Sequence, residues 1–147
     1  MSFWRRLFGP SEAGKPQRLD YLNEAMALER QGDLTGAITS YRLGLRDNPN
    51  DLRILQNIAI CFSKTGQVEE AIRHYRRALA IDGTLSGAHY GLAFLLVKRG
   101  DGDKAVEHLR AFLARPPKGA DAERWIRHAQ DTLQSIENAP AGGPPPA

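Results

Sequence analysis

Shifted by 34 residues, the chain falls into register with itself, and a period of that length constrains the fold more than any other feature. Ala25 falls on Ala59 and Ala93, Gly32 on Gly66 and Gly100, and Ala37 on Ala71 and Ala105. Leu45 falls on Leu79 and Leu113, Leu28 on Phe62 and Leu96, Ile38 on Ile72 and Val106, and Tyr41 on Tyr75 and Leu109. A unit of this size cannot bury its apolar face alone, so the repeats must stack on one another.

Each column has a mechanical meaning. The alanines at 25, 59 and 93 and at 37, 71 and 105 let two antiparallel helices approach closely; a larger side chain would overpack the contact. The glycines at 32, 66 and 100 end the first helix of each unit, where a left-handed backbone costs glycine little. Pro49 and Pro117 stop the second helix in units one and three, and Gly83 does so in unit two. The spacing predicts helices over 18–31, 34–47, 52–65, 68–81, 86–99 and 102–114. Beyond Pro116-Pro117, the spacing of Trp125, Ile126, Ala129, Leu133 and Ile136 predicts a seventh helix. Such a helix caps the array, and Trp125 is the residue expected to seal it against unit three.

These columns resemble the tetratricopeptide repeat family over about residues 18–119. The resemblance implies an all-α, right-handed solenoid: repeats at 18–51, 52–85 and 86–119 and a cap at 120–137, making one domain over 18–137. The early aromatic position of the family pattern holds Tyr21, Leu55 and His89. Glu24 stands where Ile58 and Leu92 stand, which suits a first repeat with no neighbour to cover. Phe112 stands where Gly44 and Ala78 stand, so the third unit is expected to pack differently. Residues 1–9 read as an amphipathic hook, 10–17 as a linker, and 138–147, rich in Ala, Gly and Pro, as a disordered tail.

Several function classes have no support in the sequence. The net charge of +3 comes without a dense Lys/Arg stripe, so no nucleic acid is expected as a partner. Cys61 is the single cysteine; it cannot form an intramolecular disulfide and reads as a small buried hydrophobe. His74 and His108 share a repeat column on second helices, His89 lies on a first helix, and His128 lies on the cap. With no His/Cys cluster and no Gly-rich phosphate loop, no catalytic residue, cofactor or metal is expected, and the chain reads as a non-enzyme. No apolar run nears the ~20 residues of a membrane span, and the N-terminus lacks the apolar core of a secretory signal. The location expected is cytoplasmic, with peripheral membrane contact open through the hook.

The resemblance implies that the first helices line a concave groove. The face they leave there carries Leu22, Met26 and Arg30, then Arg53, Ile60 and Lys64, then Tyr90, Phe94 and Lys98. Asp121 and Arg124 of the cap are expected on the same side. Met26, Ile60 and Phe94 form one repeat column, and Arg30, Lys64 and Lys98 another. An apolar stripe with a basic edge suits another protein or peptide segment, amphipathic with acidic flanks. Members that hold acidic chaperone tails use a Lys, Asn, Asn, Lys, Arg clamp. Those places here are Leu22, Met26, Asn57, Gly87 and Gly91, so that role is not expected. In the hook, Phe3, Trp4, Leu7 and Phe8 share one side of a short helix, with Arg5 and Arg6 on the other. That pattern fits a weak membrane-surface contact, docking in a protein groove, or simply a frayed start of the chain. The alternative function is therefore a small structural subunit or assembly factor of a membrane-associated complex, attached by the hook. Oligomeric state is not legible.

Overall fold

A computed structural model describes residues 20–139. Among them are seven helices: α1 (Tyr21–Arg30), α2 (Leu34–Asp47), α3 (Leu52–Lys64), α4 (Val68–Ile81), α5 (Ser86–Arg99), α6 (Gly102–Ala114) and α7 (Ala122–Glu137). Helices α1 and α2, α3 and α4, and α5 and α6 pair as hairpins, and each hairpin packs on the next through α2 against α3 and α4 against α5. Helix α7 packs on α6. The first helices α3 and α5 also touch each other, which sets them on the inner side of the stack. The result is an all-α solenoid. The hook (Phe3, Trp4, Arg5, Arg6, Leu7, Phe8) and the linker lie outside the described residues.

Local chemistry explains where the helices begin and end. Asp20, Asp33 and Asp51 each accept a hydrogen bond from the backbone N–H three residues on, at 3.1, 2.9 and 3.1 Å, so the free donors of α1, α2 and α3 are capped. Gly32, Gly66 and Gly100 stand at φ 82°, 78° and 93°. After each, two backbone bonds close the helix end: Gly32 N–H to Glu29 O and Asp33 N–H to Leu28 O, both 2.9 Å, with equivalents at Gly66–Gln67 and Gly100–Asp101. A Cβ at these glycines would meet nothing within 4 Å, so the backbone angle alone demands glycine there.

The six column alanines are all fully buried, as are Tyr41 and Leu109. Phe112 is buried as well, with its ring centroid 5.0 Å from Tyr90. A contact between Phe112 and a first-helix aromatic exists only in unit three, where the small column residue is lost. Between hairpins, two glycines allow close contact. A Cβ at Gly44 would lie 2.7 Å from Ile54 Cδ1, and one at Gly91 would lie 2.5 Å from the Tyr75 ring.

The cap differs from expectation at one residue. Trp125 does not seal unit three: its side chain is 40% exposed. Ala122 and Ala129 are the buried positions, and Ile126, Leu133 and Ile136 pack beside them. Positions 122, 126, 129, 133 and 136 alternate steps of four and three, so they form one narrow seam along α7. At 3.6 residues per turn, Trp125 sits about 60° off the centre of that seam. Helix α7 approaches α6 closely, since a Cβ at Gly102 of α6 would lie 3.6 Å from Ile136 Cγ1.

Candidate functional site

On the inner wall, apolar side chains are only partly covered. Leu22 and Met26 on α1 are half-buried, Ile60 on α3 is 37% exposed, and Tyr90 and Phe94 on α5 are half-buried. Arg53 Nη2 lies 3.9 Å from Met26 Sδ, which joins repeats one and two across the wall. Arg30, Lys64 and Lys98 are exposed at the last turns of α1, α3 and α5. Among the described residues, the ion pairs involve Arg73, Arg99, Arg110 and Arg127, and none uses Arg30, Arg53, Lys64, Lys98 or Arg124.

The wall does not end at repeat three. Tyr90 Oη is 2.8 Å from His128 Nδ1 on the cap, and the Phe94 ring stacks flat on His128 at 4.3 Å. Tyr90 also meets the Trp125 indole edge-on at 5.4 Å, and the Arg124 guanidinium lies 4.6 Å from the centre of that indole. Of the two cap residues expected on this side, Arg124 joins the cluster through Trp125. The Asp121 side chain makes no hydrogen bond or ion pair among the described residues. Trp125 and His128 are the ones sequence reasoning missed. The four-three spacing of the cap seam was the available signal, because it leaves both residues on the flank that turns toward α5.

Behind the wall, Glu29 of α1 ties three helices. Tyr41 Oη on α2 donates to Glu29 Oε2 at 2.5 Å, and Cys61 Sγ on α3 donates to Glu29 Oε1 at 3.1 Å. Burial, reinforced by the Glu29 carboxylate, pushes the Cys61 thiol up to about 12 and raises Tyr41 further still. A thiol so held stays protonated and is a poor nucleophile at neutral pH. Burial likewise pushes Tyr75 up to about 12.

The histidines sit closer together than their helix assignments suggested. His89 Nε2 is 2.8 Å from the Gly83 carbonyl, which can only accept, so His89 donates there. Its Nδ1 is then free to accept from His108 Nδ1–H at 3.0 Å when the ring is neutral. Burial, followed by His89 itself, holds His108 below the usual histidine range, and burial does the same to His74. Among the described residues no group of three or more His, Cys, Asp or Glu side chains is placed to hold a metal ion. Nor is any helix there long and apolar enough to cross a membrane.

Comparison with known proteins agrees with this geometry. The tetratricopeptide repeat pattern matches twice, over residues 22–85 and 65–125. No curated protein matches the chain. Among solved structures, the chain is similar to the TPR2B domain of yeast Sti1 in a complex with pHsp70. Identity is 21% and TM-score 0.68, covering 80% of this chain and 93% of that one. It is also similar to the Yersinia enterocolitica type III secretion chaperone SycD in complex with a peptide of the translocator YopD. Here identity is 16% and TM-score 0.73, covering 80% and 89%. A third is the Sgt2 TPR domain of Aspergillus fumigatus, at 23% identity and TM-score 0.68, covering 86% and 84%. At these identities the likeness is one of fold. Two successive pattern matches across residues 22–125, on stacked hairpins closed by repeated glycine turns, lead to one conclusion: the chain belongs to the tetratricopeptide repeat family.

Proposed function

We propose that the chain is an adaptor whose inner wall takes one polypeptide segment, apolar on one face and acidic at its flanks. The observation that carries this reading is Ile60. It is a large aliphatic side chain left 37% exposed at the middle of the wall, between half-buried Met26 and Phe94 and beside basic residues that join no ion pair among the described residues. An apolar strip with a cationic edge is stabilised by a segment that supplies apolar and acidic complements. Two of the similar structures, the Sti1 domain and SycD, are complexes with a protein or peptide, which fits a binding role for this fold.

An acidic chaperone tail is not the segment proposed. Of the five clamp positions of the members that bind such tails, only Asn57 matches; the others hold Leu22, Met26, Gly87 and Gly91 here, and at Gly91 a side chain would collide with Tyr75.

The test is selection of displayed random peptides on the full chain. A length of about 16 residues suits, since as a helix it is ~24 Å long. Enriched peptides are expected to pair apolar residues at helical spacing with terminal Asp or Glu. Ile60→Ala is expected to weaken them by about 1–2 kcal/mol, and Lys64→Glu to weaken them further. Binding that survives both changes in a folded variant would exclude the wall as the site.

A further inference from the structure

We propose that the cap is part of the recognition surface, with Trp125 and Arg124 forming a subsite for a large apolar side chain that lies next to a carboxylate in the bound segment. This rests on the adaptor reading and extends it: the footprint continues past repeat three onto α7, and the segment gains a direction.

The cap has two apolar populations. Ala122, Ile126, Ala129, Leu133 and Ile136 close the array. Trp125 is not among the residues packed on the core, and 40% of its surface is in water. An exposed Trp alone means little. This one is held in place: Tyr90 meets it edge-on at 5.4 Å and an interplanar angle of 81°. Tyr90 is itself fixed by His128 Nδ1 at 2.8 Å and by the rings of Phe94 and Phe112 at 4.6 and 5.0 Å. A platform braced on this many sides loses little side-chain freedom on binding. Trp, Tyr and Arg are also the residues in which binding energy concentrates at interfaces.

The charge next to the platform selects the chemistry of the occupant. Arg124 covers one part of the indole at 4.6 Å and belongs to none of the ion pairs among the described residues. A guanidinium over an indole presents its outward N–H groups to an incoming carboxylate, and the uncovered indole accepts an aliphatic or aromatic side chain. Lys98, near the end of α5, adds a second cation that joins no ion pair among the described residues. The occupant is therefore a partner segment with an acidic residue beside its terminal apolar anchor. A basic segment is repelled.

The experiment uses peptides selected on the wild-type chain, measured against full-length variants in a Trp4→Phe background, so that Trp125 is the only indole. Binding is expected to shift Trp125 fluorescence to the blue. Trp125→Ala and Arg124→Glu are each expected to weaken binding at least ~10-fold while leaving the thermal transition nearly in place. Arg124→Glu should also prefer peptides with Lys in place of the anchor-adjacent acid, a reversal that loss of folding does not produce. If Ile60→Ala weakens the peptides but neither cap variant does, and the indole emission is unmoved, the cap subsite is wrong and the wall reading stands. If the peptides depend on Trp125 but not on Ile60, the wall reading falls and the cap site remains. Failure to enrich any peptide on the wild-type chain overturns both.

Discussion

At the scale of single residues, glycines at two kinds of position act for opposite reasons. Gly66 is there for its backbone: φ is 78° and the space around its Cα is open. Gly91 is there for its missing side chain, because a Cβ would lie 2.5 Å from the Tyr75 ring and φ is ordinary. Urea denaturation should separate them. Gly66→Ala is expected to cost about 1 kcal/mol, and Gly66→Asn less, since Asn tolerates the left-handed region. Gly91→Ala is expected to cost ~1–3 kcal/mol, because Tyr75 and α5 must move apart. In a Tyr75→Leu background that penalty should shrink. The 34-residue shift made Gly66 legible, since it repeats. Gly91 shares its column with Asn23 and Asn57, so it does not repeat and gives no signal until Tyr75 is seen against it.

At the scale of elements, α7 shows how a helix assignment can hold while one residue's role fails. Its amphipathic spacing was readable, and a helix from Ala122 to Glu137 is present. Which apolar residues are buried followed the seam: Ala122 and Ala129 are covered, and the indole was left at the flank. Two substitutions measure this. Ala129→Leu is expected to destabilise by about 1–3 kcal/mol through overpacking, whereas Trp125→Ala should cost under about 1 kcal/mol despite removing far more apolar surface. The opposite ranking in thermal denaturation would restore Trp125 as the seal. The same logic governs the wall. Tyr90 and Phe94 were readable as exposed aromatics of α5, but their pairing with His128 joins residues of two elements at 38 and 34 positions apart.

At the scale of the whole molecule, stability is expected to fall at both ends of the pH range. His74 and His108 are held below their ordinary value of 6.5, chiefly by burial. The unfolded chain then binds more protons than the folded one just below that value, so stability is full above it and is lost as pH falls. Cys61 is raised from an ordinary 9.0 to about 12, so its contribution is full below 9.0 and is lost as pH rises through that window. Urea midpoints across pH should therefore form a plateau between these limbs. His74→Leu is expected to flatten the acid limb, and Cys61→Ala the alkaline one; a limb that keeps its slope in the matching variant assigns it to other groups.

The sequence by itself determined the repeating unit: a 34-residue period, small residues where helices cross, and glycines where they turn. These features are local and recur, so one chain displays them three times. What only the tertiary structure decided are the relations between units: Glu29 joining Tyr41 and Cys61, His89 meeting His108, and the cap turning Trp125 and His128 toward Tyr90. Each of these occurs once and depends on the rotation of one helix against another. A rotation of a few tens of degrees, set by which small residue sits at the crossing, moves a side chain from the interface to the surface without changing any periodicity in the sequence.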